Sequence, residues 1–319
     1  MKTAVIGLGV IGHVHLEVLS EMDTNVVAVC DVDETKFAEF PYAKGYADYK
    51  KMIDEERPDV VHICTPHYLH AEMVVYALDR GVNVLCEKPL CISRDEMEMI
   101  AAAEKRSTAQ LGVVLQNRYN EANVYAKEQL GDDKATAAYA TMVWHRSAQY
   151  YAQAAWRGTW DQEGGGVLIN QALHTLDLLQ WFCGMPNEAV ASVSNLTLQN
   201  EIEVEDTATA LYTGNANFTF FATNGSKVDF VPEVMLYTKD GSIRIAGDYV
   251  WHNNELKYFD SSKRVYGKGC YGTGHGRLFA HFYDCVEKGE KFPINGEEGS
   301  KVIRLILAAY ESNGKKVNV

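Results

Sequence analysis

The stretch TAVIGLGVIG, residues 3–12, decides the fold of this 319-residue chain. Its first residues form a short apolar run that is typical of a buried strand, and three glycines follow in the spacing G-x-G-x-x-G. Such glycines let the backbone turn tightly from a strand into a helix, so that a phosphate group can approach the N–H groups of the helix N-terminus. The element therefore predicts a dinucleotide site formed by Gly7, Gly9, Val10, Ile11 and Gly12.

An acidic residue stands where such a site needs one. The run NVVAVC, residues 25–30, is followed by Asp31, 19 residues after Gly12. That separation is close to the ~20 residues at which dinucleotide-binding folds place an acid for a ribose hydroxyl. We therefore favour a dinucleotide site over a glycine turn that serves packing alone. Because a carboxylate accepts a hydrogen bond from a 2′-hydroxyl and repels a 2′-phosphate, Asp31 predicts NAD, with NADP disfavoured.

The first part of the chain reads as alternating strands and helices. Five short runs are apolar almost throughout, and amphipathic segments separate them up to residue 118. Strands that are apolar on both faces belong to parallel sheets covered by helices. The pattern predicts an α/β fold, with a doubly wound Rossmann domain over residues 1–118.

The pattern changes from residue 119 onward. Strand-like segments separated by turn signals run from 189 to 259, with helix candidates before and after them. This predicts a second domain of the α+β class over residues 119–319, with a mostly antiparallel sheet that serves substrate binding and oligomerisation. Since few helices remain to cover that sheet, we expect one face to meet another subunit in a homodimer or homotetramer.

Composition excludes several classes of partner. The formal net charge of −13 disfavours nucleic acid and anionic membranes, and no apolar run reaches the ~18 residues of a membrane span. Seven cysteines form no C-x-x-C pair, so we interpret them as reduced structural residues of a cytoplasmic protein, without metal or disulfides.

A lysine follows a predicted core strand. In VNVLCEKP, residues 82–89, the apolar run ends at Glu87-Lys88-Pro89, and another run ends at Thr65-Pro66. Ligands of doubly wound sheets bind beyond the carboxyl ends of the strands, so Lys88 is expected beside the cofactor. Its ammonium could hold the oxygen of a substrate hydroxyl, or relay its proton, during hydride transfer. Glu87 is expected to orient Lys88 or to contact the cofactor ribose.

A polar stripe runs through an otherwise apolar segment. In VLINQALHTLDLLQWF, residues 167–182, Asn170, His174 and Asp177 are spaced i, i+4 and i+7, which places them on one face of a predicted helix. A helix that is apolar nearly all round is buried, so these polar groups need partners or a cavity. We interpret the stripe as part of a site, with Asp177 bracing His174 or closing a buried network.

Aromatic and arginine residues nearby are suited to a carbohydrate. Trp156 and Trp160 offer flat faces to C–H groups, while Arg118 and Arg157 offer forked donors to hydroxyls or a carboxylate. His275, in the loop TGHG, could reach the same pocket. For each of them a structural role in the core or on the surface is an equally open alternative.

Taken together, the motifs resemble the Gfo/Idh/MocA oxidoreductase family. The resemblance spans nearly the whole chain and is carried by these segments: Gly7 to Gly12, Thr65-Pro66 with His70, Glu87-Lys88-Pro89, residues 116–120 (QNRYN), residues 156–160 (WRGTW), Gly164 to Gly166, and Tyr271 to Gly276. It implies an NAD(P)-dependent dehydrogenase of sugars, cyclitols or related polyols, with an open sheet in the second domain. It also implies a cis peptide between Lys88 and Pro89.

The resemblance also assigns roles to residues. It implies cofactor contacts at Thr65, Pro66, His70, Glu87 and Lys88, and a general acid or base at His174. Asn170 stands where many members have aspartate, which limits it to hydrogen bonding. The residues expected to contact substrate are Arg118, Asn120, Trp156, Arg157, Asn170, His174 and His275.

The resulting hypothesis is reversible oxidation of a ring hydroxyl, with Lys88 and His174 as the catalytic pair acting on one carbon. Two alternatives stay open. Some members of the family use bound NAD to oxidise, eliminate and reduce again, so that the net reaction is glycoside hydrolysis without accumulation of NADH. A sensor that binds sugar or cofactor without catalysis is the other, and it would have no need of a proton-transfer pair.

Overall fold

The computed structural model describes residues 1–131, 133–261, 265–269 and 272–319. The chain divides into two compact units, the first made of Met1–Gln116 with the described part of 264–300, the second of the described part of 117–263 with Lys301–Val319. This division differs from a single boundary after residue 118. The helix Gly274–Lys288 lies in the first unit, where Tyr283 Oη is 2.9 Å from Thr3 Oγ1.

The first unit contains one six-stranded sheet in which every pair of neighbours is parallel. The strand order is β3-β2-β1-β4-β5-β6. The strands are β1 (Lys2–Ile6), β2 (Asn25–Cys30), β3 (Lys44–Tyr46), β4 (Val60–Ile63), β5 (Asn83–Cys86) and β6 (Leu111–Val113). This order confirms the predicted doubly wound sheet: strands are added outward from β1 in one direction up to β3, and in the other direction from β4 onward. The short strand β3 was not predicted, because KGY carries no apolar run.

Helices cover both faces of a doubly wound sheet. Those of the first unit are α1 (Val10–Glu21), α2 (Tyr49–Glu56), α3 (His70–Leu78), α4 (Arg94–Arg106) and α8 (Gly274–Lys288). Side-chain caps explain two of their starts: Asp48 accepts hydrogen bonds from Lys50 N and Lys51 N ahead of α2, and Ser93 accepts from Glu96 N ahead of α4. The strands between them, apart from β3, are buried along almost their whole length, as their apolar sequences require.

The second unit is built on a nine-stranded sheet with the order β14-β13-β12-β11-β7-β10-β9-β8-β15. Its strands are β7 (Ala137–Val143), β8 (Glu188–Ser194), β9 (Thr207–Thr213), β10 (Phe218–Thr223), β11 (Glu233–Thr238), β12 (Gly241–Ala246), β13 (Tyr249–His252), β14 (Glu255–Phe259) and β15 (Val317–Asn318). Only β7 and β10 run parallel; the other neighbours are antiparallel, which confirms the predicted character of the sheet.

Buried and exposed side chains alternate along the strands, so the two faces of this sheet differ in exposure. In β10, Phe218 and Phe220 are buried while Thr219 and Phe221 are exposed. β13 and β14 form a hairpin through Asn253 and Asn254, which both have positive φ (51° and 65°). Asparagine tolerates this conformation, which two-residue hairpin turns require.

The helices of the second unit are α5 (Glu121–Leu130), α6 (Ala148–Tyr151), α7 (Leu173–Cys183) and the part of α9 (Gly296–Ser312) from Lys301 onward. The predicted helix through the polar stripe is wrong at its start. α7 begins at Leu173, and residues 166–172 form turns, in which Asn170 N donates to Gly166 O at 3.1 Å. Positive φ angles at Gly164 and Gly165 (81° and 144°) do not continue a helix.

No helix among the described residues is long and apolar enough to cross a membrane. The six described cysteines are buried free thiols: Cys30, Cys64, Cys86, Cys91, Cys183 and Cys285. Cys270 lies outside the described residues, as does Tyr271 at the start of the last motif of the resemblance.

Candidate active site

The glycine turn joins β1 to α1. Gly7 has a φ of +93°, and a Cβ on it would lie 2.5 Å from Cys64 O, while a Cβ on Gly12 would lie 1.9 Å from Gly7 O. Both positions therefore require glycine, for backbone conformation and for close packing of helix on strand. Gly9 differs, since a Cβ there would meet open space and the residue forms the N-cap of α1. The exposed N-terminus of α1 at Gly9 and Val10 is suited to an anionic group.

Asp31 follows β2 and is tied to the same turn. Its Oδ2 accepts from Leu8 N at 2.8 Å and from Lys36 Nζ at 2.9 Å, and its Oδ1 accepts from Asp33 N at 2.9 Å. Partial burial raises the pKa of Asp31, but the hydrogen bonds from Asp33, Lys36 and Leu8 outweigh it and hold the pKa below its ordinary value. The residue is a fixed carboxylate beside the glycine turn.

An open cleft lies along the glycine turn, with a volume of about 480 Å³. It is lined by Leu8, Gly9, Val10, His13, Val14, Glu17, Lys36 and Gly267. These residues include the N-terminus of α1 and the lysine that pairs with Asp31. The cleft therefore presents the groups that a dinucleotide needs: backbone N–H donors for phosphate, apolar side chains for a flat ring, and an acid at its edge.

Thr65 and Pro66 lie directly beyond β4, and His70 opens α3. The His70 ring is fully buried between two carbonyl groups: Nδ1 is 2.7 Å from Pro89 O and Nε2 is 2.8 Å from Thr65 O. Burial lowers its pKa, while these two carbonyls act in the opposite direction. His70 therefore joins the turn after β4 to the turn after β5, which places it behind the predicted cofactor contacts.

The lysine turn lies beyond β5, and its Lys88–Pro89 peptide is cis, as the resemblance implied. Glu87 N donates to Ile63 O at 2.9 Å, which keeps the turn on the sheet. Glu87 and Pro89 are buried, whereas Lys88 between them is half-buried. Because β2, β1, β4 and β5 are parallel neighbours, Asp31, the glycine turn, Thr65 and Lys88 all lie at one edge of the sheet.

Glu87 faces the interior. Its Oε2 accepts from Lys88 N at 3.1 Å, and its Oε1 lies 3.0 Å from His15 Nε2. Burial raises the pKa of Glu87, against the nearby charges of His275 and Lys88. Of the two predicted roles, this geometry matches the orientation of Lys88, because both carboxylate oxygens are engaged within the protein.

A chain of buried polar side chains continues from Glu87, and sequence reasoning did not predict it. His15 Nδ1 is 2.8 Å from His62 Nδ1, His62 Nε2 is 2.9 Å from Tyr283 Oη, and Tyr283 Oη is 2.9 Å from Thr3 Oγ1. With neutral rings, hydrogen bonds can run from Thr3 through each member to an ionised Glu87. A sequence feature that could have indicated this chain is the presence of three polar residues, in β1, α1 and β4, at positions where the surrounding pattern is apolar.

His275 also belongs to this interior. It lies at the start of α8 in the first unit and has no exposed surface. Burial lowers its pKa to about 4, while the charge of Glu87 raises it. This placement differs from the predicted contact of His275 with substrate, because a ring enclosed in this way cannot reach a ligand without a rearrangement.

In the second unit, α7 carries the other predicted catalytic residue. His174 in its first turn is half-buried, although most of the helix around it is fully buried. Asn170, in the preceding turn, donates through Nδ2 to Glu163 Oε1. Glu163 is fully buried and also accepts from Gly158 N. Glu163 was missed by the sequence reasoning, although its position directly before three glycines was a signal.

Arg118 and Asp177 form a buried, two-pronged ion pair. Arg118 Nε is 2.8 Å from Asp177 Oδ2 and Arg118 Nη2 is 2.7 Å from Asp177 Oδ1, with side chains 5% and 1% exposed. Gln180 Nε2 also donates to Asp177 Oδ1 at 3.0 Å. Asp177 therefore closes a buried network, one of its two predicted roles. The pairing occupies the forked donors of Arg118 that were predicted to meet substrate.

The remaining predicted substrate contacts lie on loops of the second unit. Asn120 is the N-cap of α5, and Trp156 and Arg157 are half-buried after α6. The Arg157 guanidinium carbon lies 4.2 Å from the ring centroid of Tyr150 and 5.3 Å from that of Trp156. Trp160 is 44% exposed and donates to Glu203 O at 3.0 Å.

These placements bring the predicted residues together in two groups. Asp31, the glycine turn, Thr65, His70, Glu87 and Lys88 share the edge of the first unit's sheet, and Asn170, His174, Trp156 and Arg157 belong to the second unit. No cluster of metal-binding side chains occurs in the ranges that the structure describes. A parallel sheet with a glycine turn, an acid and a lysine at its carboxyl edge defines a dinucleotide-binding protein of the oxidoreductase type.

Comparison with known proteins agrees with this class. Residues 1–115 match the sequence model of the Gfo/Idh/MocA oxidoreductase family's NAD-binding Rossmann fold, and residues 125–244 match a Gfo/Idh/MocA C-terminal domain. The chain therefore belongs to the Gfo/Idh/MocA family of oxidoreductases.

Individual relatives act on sugars, cyclitols or sugar nucleotides. A putative UDP-kanosamine synthase oxidoreductase subunit from Amycolatopsis mediterranei is 30% identical over 58% of this chain, but the match spans only about half (52%) of that relative. The scyllo-inositol 2-dehydrogenase (NADP(+)) IolW of Bacillus subtilis is 23% identical, over 99% of this chain and 94% of its own.

A solved structure extends the comparison. The WlbA dehydrogenase from Chromobacterium violaceum, in complex with NADH and UDP-GlcNAcA, superimposes with a TM-score of 0.87 at 26% identity, covering 100% of this chain and 96% of that one. The architecture of the two units therefore recurs in a dehydrogenase that binds NADH and a sugar nucleotide.

Proposed function

We propose that this protein is an NAD-dependent dehydrogenase that oxidises, or in reverse reduces, a ring hydroxyl of a sugar, sugar acid, sugar nucleotide or cyclitol. The observation that carries the proposal is Lys88. It is a half-buried cation beyond β5, on a turn held by Glu87 and His70, at the sheet edge that also carries the glycine turn and Asp31. A surface lysine would need none of this support.

The cofactor residues follow from the same edge. Gly7, Gly9 and Gly12 allow backbone N–H groups to meet a pyrophosphate, and Asp31 accepts from a ribose hydroxyl. Bound NAD supplies the acceptor for the hydride that leaves the substrate carbon. Asp31 favours NAD over NADP, although Lys36 at 2.9 Å from it partly offsets its charge.

The proton leaves by a separate route. In the proposed reaction the hydroxyl O–H bond breaks as the carbon–hydrogen bond gives up its electron pair, and a carbonyl forms. Lys88 holds the oxygen with its ammonium group, and His174 accepts the proton on its ring. Asn170, which has no proton to exchange, hydrogen-bonds a neighbouring hydroxyl of the ring.

The experiment is an NADH-absorbance assay of the purified protein with a panel of polyols, uronates and sugar nucleotides, alongside calorimetric titration with NAD. We expect NAD binding and NADH accumulation with at least one substrate. Cleavage of a glycoside without NADH accumulation would replace the dehydrogenase by a hydrolase that uses its cofactor catalytically. Ligand binding without any turnover would replace it by a sensor.

The second unit's sheet supports a proposal of a homodimer or homotetramer. Leu211, Phe221 and Tyr237 are 44%, 37% and 44% exposed on one face of the sheet, on strands β9, β10 and β11, with β7 between the last two. Burial of such a face stabilises association at about 25 cal/mol per Å². Light scattering on the eluting protein tests this, and Phe221→Lys should shift the mass toward the monomer; a monomeric wild-type protein would contradict it.

We propose the cytoplasm as the place of action, supported by the buried free thiols, which persist most readily in a reducing compartment. The absorbance assay does not depend on this point. Labelling of cysteines in intact cells before lysis distinguishes a reducing location from an oxidising one.

A further inference from the structure

Two arginines of the second unit lie against one tyrosine ring. The guanidinium carbon of Arg157 is 4.2 Å from the centroid of Tyr150, and that of Arg146 is 5.2 Å from it. A cation over an aromatic face is favourable, and the shared ring holds both guanidinium groups in one place. In a chain with a net charge of −13, such a local concentration of positive charge stands out.

The arginines retain hydrogen-bonding capacity that the protein does not use. Nε and Nη1 of Arg157 are buried and have no acceptor among the described residues, and the same is true of Arg146 Nε. Buried donors in folded proteins are nearly always satisfied, so three such groups in one cluster point to a ligand. Arg146 is partly compensated, because its Nη1 donates to His145 O at 2.6 Å and lies 3.7 Å from Asp229 Oδ1.

Tyr150 connects this cluster to the predicted catalytic segment. Its hydroxyl accepts from Gln171 Nε2 at 3.1 Å, and Gln171 Oε1 accepts from Asn224 Nδ2 at 2.8 Å. Gln171 is the neighbour of Asn170 and stands three residues before His174. The ring is therefore anchored to the segment that we propose to contact substrate.

We propose that Arg157, with Arg146, binds an anionic group of the substrate, either a carboxylate on the sugar or the phosphate groups of a sugar nucleotide. The identification of this ligand as a substrate rests on the proposed function. A guanidinium fork matches two oxygens of either group, which a neutral polyol lacks. The protein is thereby assigned to acidic sugars or nucleotide-linked sugars rather than to free cyclitols.

The test compares three probes in calorimetric titrations of the protein saturated with NAD: glucuronate, UDP-N-acetylglucosamine and glucose. At least one of the anionic probes should bind at least tenfold more tightly than glucose, and its affinity should fall as salt is added. Preference for glucuronate identifies the carboxylate as the recognised group, and preference for the nucleotide identifies the phosphates. Equal affinity for all three, or no binding of either anion, overturns the proposal.

Substitutions test whether Arg157 is the residue that binds the anion. Arg157→Met should lower the affinity for the preferred anion by about tenfold to a hundredfold, in line with a lost hydrogen-bonded charge. The affinity for glucose should stay the same. Arg157→Lys keeps the positive charge but not the forked pair of donors. Its affinity for the anion should therefore lie between that of the wild type and that of Arg157→Met. Arg244→Met is the matched control, because Arg244 also stacks on an aromatic ring, 4.6 Å from the centroid of Trp251, but pairs with Glu233.

The outcomes separate this inference from the proposed function. Anion binding that depends on Arg157 without any turnover would leave the site in place and remove the dehydrogenase. Turnover of a neutral polyol by a wild-type protein that binds neither anion more tightly than glucose would keep the dehydrogenase and remove the anion site. NAD affinity and the urea midpoint of each variant report whether it is folded, and the salt series on the unchanged protein decides the matter if Arg157→Met does not fold.

Discussion

His15 Nε2 lies 3.0 Å from Glu87 Oε1 in the interior of the first unit, although 72 residues separate them in the chain. Glu87 also accepts a hydrogen bond from the backbone N–H of Lys88. The histidine therefore contacts the residue that directly precedes the proposed catalytic lysine. Both side chains are buried, at 0% and 6% exposure. The contact ties the helix that follows the glycine turn to the turn that carries Lys88.

Acid should destabilise the protein through its buried histidines. Burial lowers the pKa of His15 to about 3 and that of His275 to about 4, and it also lowers the pKa of His62. Unfolded chains take up these protons near pH 6.5, so stability is present above that pH and is lost as the pH falls toward the folded values. Each proton that is taken up on unfolding changes the unfolding free energy by about 1.4 kcal/mol per pH unit. Glu87 acts in the opposite sense, because burial raises its pKa.

A variant isolates one of these histidines. His15→Asn should make the fall of the unfolding free energy between pH 6.5 and pH 5 shallower, by about 1.4 kcal/mol per pH unit, since one group fewer takes up a proton on unfolding. Urea denaturation at several pH values measures the slope. His252→Asn, at a half-buried position in β13, serves as control. A slope that is the same in His15→Asn and wild type would contradict this assignment.

Removal of the Lys88 amine should abolish most turnover without loss of cofactor. Lys88→Ala is expected to lower kcat by about a hundredfold to ten-thousandfold, the range of a lost proton-transfer or charge-stabilising group. NAD affinity should change only a few-fold, since the glycine turn and Asp31 remain. Lys105→Ala, on an exposed position of α4, is the matched control. Unchanged kcat in Lys88→Ala would remove the lysine from the mechanism.

The choice between NAD and NADP should depend on Asp31. Asp31→Ser removes the carboxylate that repels a 2′-phosphate and leaves Lys36 Nζ without its partner at 2.9 Å. The ratio of kcat/KM for NADP to that for NAD should rise by about tenfold to a hundredfold, because a hydrogen bond to a charged group contributes about 1.5–3 kcal/mol. Adding Lys36→Ala should reverse most of the gain.

An unchanged ratio in Asp31→Ser would show that another group selects the cofactor. Steady-state kinetics with both cofactors, at one substrate concentration, measures it. The position of Asp31, tied to Leu8 N in the glycine turn, makes it the first residue to test.

The Arg118–Asp177 pair should act as a unit in stability. Asp177→Asn leaves a buried guanidinium without its carboxylate, so a loss of about 3–5 kcal/mol in unfolding free energy is expected. The double variant Arg118→Met with Asp177→Leu removes both charges and should recover most of that loss. Urea denaturation of the four proteins gives the coupling energy, and additive effects would show that the two side chains do not depend on each other.

Much of the fold could be predicted from short-range patterns in the sequence. The parallel strands, their helices and the glycine turn were predictable because apolar periodicity and the conformational needs of glycine act over a few residues. Asp31 and Lys88 were identified for the same reason, since each directly follows a strand and parallel strands end at one edge. The cis peptide before Pro89 came from the family resemblance instead.

Other features depend on contacts between distant residues. Arg118 meets Asp177 across 59 positions, and Thr3 meets Tyr283 across 280, so that neither partner can be recognised from its own surroundings. The helix predicted through Asn170 begins only at Leu173; Gly164 and Gly165 before it have positive φ angles, and Asn170 donates a hydrogen bond to Glu163.

The sequence by itself determined the class of fold, the dinucleotide turn and the positions of Lys88 and His174 along the chain, because strand pattern and motif spacing are local properties. Only the tertiary structure decided that His275 is enclosed beside Glu87, that Arg118 is committed to Asp177, and that Arg157 shares a ring with Arg146. Charged and polar side chains settle on whichever partner burial brings within reach, and that choice is made by the folded chain as a whole.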